Sequence, residues 1–357
     1  MIALYYQDIY ITIVSIITIL TVSQYNRSFL NKQNRKNVGD MLLALLVAIF
    51  MIIFIGLRPC HEVFADMLIY DQQYQTLFNG RFFFEWDTEN KFFDNWVPYM
   101  ASKGIPSEMM FFIYALIYFG AMYFACKKFF PNDILLSFVF YLGAFSTFSY
   151  GVNGVRAGMA ASLFLLALAH KEKIWISLPL AIFTFGMHHS MSLVIGAYLI
   201  VLLIKQTKYY FALWAISFVI AALHITFFQH FFAGFTDEHG AGYLLSNKHS
   251  GFRLDFIIYS AIPILCGFIF IYKYKIKSDT YNFLLSIYTL ANSVWLLCMY
   301  SSFTNRIAYL SWFMYPIVLL YPFLNVSWSN LQCRYLKYVV YGHLGFTLFM
   351  NIVYYTF

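Results

Sequence analysis

The sequence predicts an all-α polytopic membrane protein. Only 11% of its 357 residues are charged, while 61% are hydrophobic, and a soluble domain of that size needs more charge at its surface. Apolar runs of near bilayer-crossing length recur from one end to the other. They do not alternate apolar with polar residues, which excludes a β-barrel.

Twelve runs are expected as transmembrane or partly inserted helices, at roughly 5–25, 41–57, 108–126, 134–150, 156–169, 174–187, 190–204, 209–228, 254–272, 281–301, 307–325 and 338–356. Several are short for a full crossing. The first lacks a basic leader and is expected to remain as a span. One membrane domain, 1–357, is expected. The net charge of +7 reflects topology here rather than a nucleic-acid partner. With the loop 26–40 inside, short loops holding Lys127–Lys128, Lys171–Lys173, Lys205–Lys208, Lys273–Lys277 and Arg334–Lys337 also fall inside. Together they take most of the 23 Lys and Arg. Most of the 16 acids fall outside. Two long outer loops, 58–107 and 229–253, are expected to cover the site, and the aromatic residues of the first argue for order there.

Basic residues left outside are informative, because the topology rule does not explain them. Arg58 closes the second run, Arg156 opens the fifth, Arg253 opens the ninth and Arg306 stands between the tenth and eleventh. An arginine fork matches phosphate oxygens. The same residue at a helix end also snorkels to headgroups or pairs with an acid. Asn153 precedes Arg156 by three positions, and Asn305 adjoins Arg306. Gly154 and Gly158 form GxxxG, read as close helix packing that fixes the Arg156 helix. Two passes separate Arg156 from His188 and His189, so all three should emerge on one face. His188 is a candidate acid or base, and Asp66 competes with it. The acids from Glu85 to Asp94 are read as solvating a loop. No metal site is expected, since HExxH spacing is absent. Five cysteines without CxxC spacing read as small hydrophobes.

Taken together, Arg58, Asp66 and Tyr70 after the second run, then NGVRAGMAASLFLLAL, a short basic turn, GMHHSMSL and a late NRIAYL form a pattern. It resembles the EpsG family of bacterial exopolysaccharide and O-antigen polymerases, of the Wzy type. The resemblance implies a GT-C-like helical bundle in the cytoplasmic (inner) membrane that works at its outer face without a cofactor. Its implied substrates are undecaprenyl-pyrophosphate-linked oligosaccharides, and a chain-length regulator is an implied partner. A growing glycan would pass onto a lipid-linked repeat unit. On this reading Arg156 and Arg306, assisted by Arg58 or Arg253, hold the leaving pyrophosphate, with Asn153 and Tyr70 beside the substrate. His188 or Asp66 takes the hydroxyl proton. A flippase of lipid-linked sugars and a glycan-modifying acyltransferase are the rival classes. The scarcity of charge within the runs speaks against the flippase.

Overall fold

The computed structural model describes residues 2–29, 38–64, 66–233, 238–245 and 251–355. Lys32, Arg35, Lys36, Asp237, Lys248 and His249 of the expected loops lie outside the described residues. Among those described, every regular element is helical. In chain order they are α1 (Tyr6–Phe29), α2 (Val38–Gly56), α3 (Asp66–Leu77), α4 (Lys91–Ser102), α5 (Ser107–Phe129), α6 (Ile134–Leu142), α7 (Phe145–Val152), α8 (Val155–Ala169) and α9 (Ile174–Met187). Then follow α10 (Ser192–Leu203), α11 (Thr207–Ala222), α12 (Phe227–Ala233), α13 (Glu238–Leu245), α14 (Leu254–Tyr272), α15 (Asp279–Leu297), α16 (Thr304–Trp312), α17 (Tyr315–Asn325) and α18 (Gln332–Tyr355).

Each expected run coincides with a helix or a broken helix, and the bounds of the α9 and α14 runs agree to the residue. Among the described residues, five helical segments are long and apolar enough to cross a membrane, or up to seven if each of two bent pairs is one span. Helices α8, α9 and α10 are shorter apolar helices. Two expected straight spans are broken. The 134–150 run bends by 73° between α6 and α7, and the 209–228 run turns by 115° between α11 and α12. The loop expected at 58–107 holds two helices, α3 and α4.

The chain forms two compact units, 1–188 with 329–357, and 189–328. In the first unit the bend after α6 frees carbonyls that water cannot reach in a membrane interior, so side chains must satisfy them. His343 on α18 lies 3.1 Å from the Phe140 carbonyl oxygen. Thr147 donates to Tyr141 O at 2.7 Å and Tyr10 to Leu142 O at 2.8 Å. Thr347 donates to Gly143 O at 2.8 Å. The polar residues of α18 and α1 are thus the partners of a kink far away in sequence. After the bend, α7 packs closely on α8: a Cβ at Gly158 would stand 2.6 Å from the Tyr150 carbonyl oxygen. The GxxxG reading holds, with α7 as the partner helix.

The second unit is built around α15, whose buried polar face would be costly in hydrocarbon unless paired. Asn292 accepts from Trp214 Nε1 on α11 at 2.8 Å and donates to Ser311 Oγ on α16 at 3.1 Å. Ser286 donates to Thr207 at 3.1 Å. Trp312 Nε1 donates to Ser260 Oγ at 2.7 Å, and the Tyr259 ring stacks on Tyr315 at 4.1 Å. Where α11 ends, His224 takes a left-handed φ of 58° and Tyr300 donates to Ala221 O at 2.7 Å. That cap allows the sharp turn into α12.

Candidate functional site

At one end of the first unit, the α2 C-terminus, the α5 N-terminus and the α7–α8 turn meet beneath the two loop helices. Arg58 fastens the first and third. Its Nη1 donates to Ile55 O at 2.8 Å and its Nη2 to Val152 O at 2.9 Å. These carbonyls end α2 and α7, the negative poles of the two helices, where a cation is favoured. Phe64 and Phe111 flank the guanidinium at 5.6 and 5.4 Å. Arg58 is only 3% exposed, and its Nε is buried with no hydrogen-bond partner among the described residues. Burial holds its pKa down to about 10, so it stays charged at neutral pH. The fork expected to face phosphate therefore faces backbone carbonyls instead.

By gripping Val152, Arg58 fixes the turn that delivers Arg156. Asn153 ends α7, its N–H bonded to Ser149 O at 2.9 Å, and its Oδ1 is buried with no hydrogen-bond partner among the described residues. Gly154 opens α8, and Arg156 lies in that helix's first turn. There the guanidinium adds its charge to the positive pole of α8 rather than opposing it, an arrangement that calls for an anion. The anion supplied is Asp94 on α4. Arg156 Nη1 and Asp94 Oδ1 are 3.9 Å apart, with side chains 30% and 28% exposed. The other Asp94 oxygen accepts from Asn90 N–H at 3.1 Å.

Aromatic rings line this end. Phe93 lies 5.5 Å from the Arg156 guanidinium and packs against Tyr70 and Tyr114. Trp96 meets Tyr114 edge-on at 5.8 Å. The Tyr114 hydroxyl is buried with no hydrogen-bond partner among the described residues. Tyr74 is held by donation to Ile105 O at 2.7 Å. Asp66 is half-buried at the first position of α3, one turn before Tyr70.

His188 ends α9, with its N–H on Thr184 O at 3.1 Å and an extended backbone. Helices α8 and α9 pack as an antiparallel hairpin closed at His170–Lys173. Arg156 and His188 therefore occupy the same end of that hairpin, as expected. Helix α4 reaches across this end: Phe92 stacks on Phe183 at 5.0 Å, and a Cβ at Gly186 would collide with the Phe92 ring at 2.1 Å. One loop helix thus touches both the Arg156 helix and the His188 helix.

His189, Arg253 and Arg306 belong to the second unit. Arg253 donates to both Asp255 oxygens, at 3.0 and 2.7 Å, with Phe256 3.5 Å from its guanidinium. Its fork is occupied by an acid two residues away. Arg306 is exposed on the first turn of α16, 5.1 Å from the Phe303 ring. Sequence reasoning missed Asp94, taken there as a solvating acid. The available signal was Phe93, Val97 and Met100 at helical spacing, which marks α4 as a docked amphipathic helix and not a solvated loop.

Among the described residues these features define a helical membrane protein in which Arg156, Asp94 and a group of aromatic rings gather at one end of the first unit. A model of the EpsG family matches residues 41–356. The chain belongs to that family, whose members are Wzy-type polymerase-like membrane proteins. No curated protein and no solved structure matches.

Proposed function

We propose that this chain is a bacterial glycan polymerase acting at the outer face of the cytoplasmic membrane. Its substrates are glycans carried on undecaprenyl pyrophosphate. The acceptor hydroxyl oxygen attacks the anomeric carbon of the growing chain's reducing-end sugar. The bond from that carbon to the pyrophosphate oxygen breaks, the glycan moves to the acceptor, and undecaprenyl pyrophosphate leaves with the bonding electrons. Two tasks fall to the protein: holding the negative charge that grows on the leaving group, and taking the hydroxyl proton.

The observation that supports this reading is Arg156. It sits at the positive pole of α8 beside rings suited to a sugar face, and its acid partner is distant and partly exposed. Arg156 therefore receives the pyrophosphate. His188, at the same end of the hairpin, takes the proton, with Asp66 as its competitor. Arg58 positions the α7–α8 turn from behind.

The test is a glycan ladder on a gel from cells carrying single variants. His188→Ala is expected to cut polymerisation about a hundredfold or more, the range for loss of a general base, while one repeat unit persists. Asp66→Asn is expected to shorten the ladder less. A full ladder in His188→Ala with none in Asp66→Asn reverses that assignment. Loss of even the single repeat unit indicates flipping and contradicts the polymerase.

A further inference from the structure

We propose that Asp94 is a displaceable counter-ion for Arg156, so that helix α4 and an incoming diphosphate compete for one guanidinium. This rests on the reading of Arg156 as the pyrophosphate contact. At 3.9 Å the pair is well beyond the roughly 2.7–2.9 Å of a charge-assisted hydrogen bond. Both side chains keep nearly a third of their surface open. The carboxylate offers Arg156 the same acceptor chemistry as a phosphate oxygen, at the helix pole that favours an anion. A diphosphate arriving there meets Asp94 as a like charge. The carboxylate must yield, and with it the segment it belongs to, since Asp94 Oδ2 also holds Asn90 N–H at the start of α4. Phe93, the preceding residue, underlies the same guanidinium at 5.5 Å. Binding at Arg156 is thereby communicated to the helix that packs on α9 next to His188. Asp94 weakens diphosphate binding in the resting site and makes occupancy of Arg156 legible to α4.

Asp94→Asn isolates this effect. It removes the charge but keeps an amide oxygen to accept from Asn90 N–H. Full-length protein in nanodiscs is titrated with farnesyl diphosphate and, separately, with inorganic pyrophosphate. Asp94→Asn is expected to bind farnesyl diphosphate about threefold tighter than wild type, the scale of a partly exposed ion pair. Pyrophosphate should show the same gain if the diphosphate alone is recognised. In an Arg156→Ala background the Asp94→Asn change is expected to have no effect. Wild type that binds while Asp94→Asn binds no tighter overturns the competition and leaves the site reading intact. A gain that persists without Arg156 also overturns it. Wild type that binds neither ligand overturns the reading of Arg156, and this inference with it.

Discussion

If the chain is the proposed polymerase, Arg156→Ala is expected to lower the polymerisation rate of the purified protein about a hundredfold, and Arg156→Lys to recover little of it. Loss of one charge contact to a developing anion costs on the order of 3 kcal/mol in the transition state. Lysine restores a point charge, not the planar fork that grips two oxygens of one phosphate. It also reaches differently past Phe93, which lies 5.5 Å from the Arg156 guanidinium. The assay follows transfer between lipid-linked repeat units over time with each variant at matched protein level. Folding is checked by thermal unfolding, since Arg156 is partly exposed and its loss leaves no buried group unsatisfied. Near-normal turnover by Arg156→Lys would show that this arginine acts as a general positive charge and not as a diphosphate fork.

Gly158→Ala is expected to lower the stability of the folded protein by roughly 1–3 kcal/mol, the range for overpacking a close contact. The added methyl would meet the Tyr150 carbonyl oxygen at 2.6 Å and its carbon at 3.1 Å. Backbone atoms cannot swing aside, so α7 and α8 must separate. Their separation disturbs the Val152 carbonyl that Arg58 holds and the turn that places Arg156, so activity falls along with stability. Gly154→Ala should cost less, because its nearest neighbour is the Tyr150 ring at 3.3 Å, and a ring can shift. Gly196, with nothing within 4 Å of its would-be Cβ, is the control. Equal melting temperatures for Gly158→Ala and Gly196→Ala would refute the packing argument.

Local pattern made much of the fold readable. Apolar runs bounded by Lys, Arg or His located α9 and α14, and the spacing of Gly154 and Gly158 marked a tight helix contact. Two short runs joined by HKEK placed Arg156 and His188 at one end of a hairpin. Long-range partners stayed hidden. The bend after α6 depends on His343 and Thr347, about two hundred residues further on, and no window of sequence joins them. Asp94 meets Arg156 across 62 positions, so its charge looked like ordinary loop solvation. Arg58 looked like an exposed helix-end cation because nothing nearby announces that Val152, 94 positions away, will take its second nitrogen. Arg253 is the opposite case. Its acid stands two residues away, and the pair was open to inspection in RLD.

The account depends on Arg156 gripping a diphosphate beneath α4. A cryo-electron microscopy structure of the full-length protein with farnesyl diphosphate bound tests this most directly. The account predicts phosphate oxygens within about 3 Å of the Arg156 guanidinium nitrogens, at the α8 N-terminus, with Asp94 moved away. A diphosphate bound elsewhere, with Arg156 still facing Asp94, would contradict it.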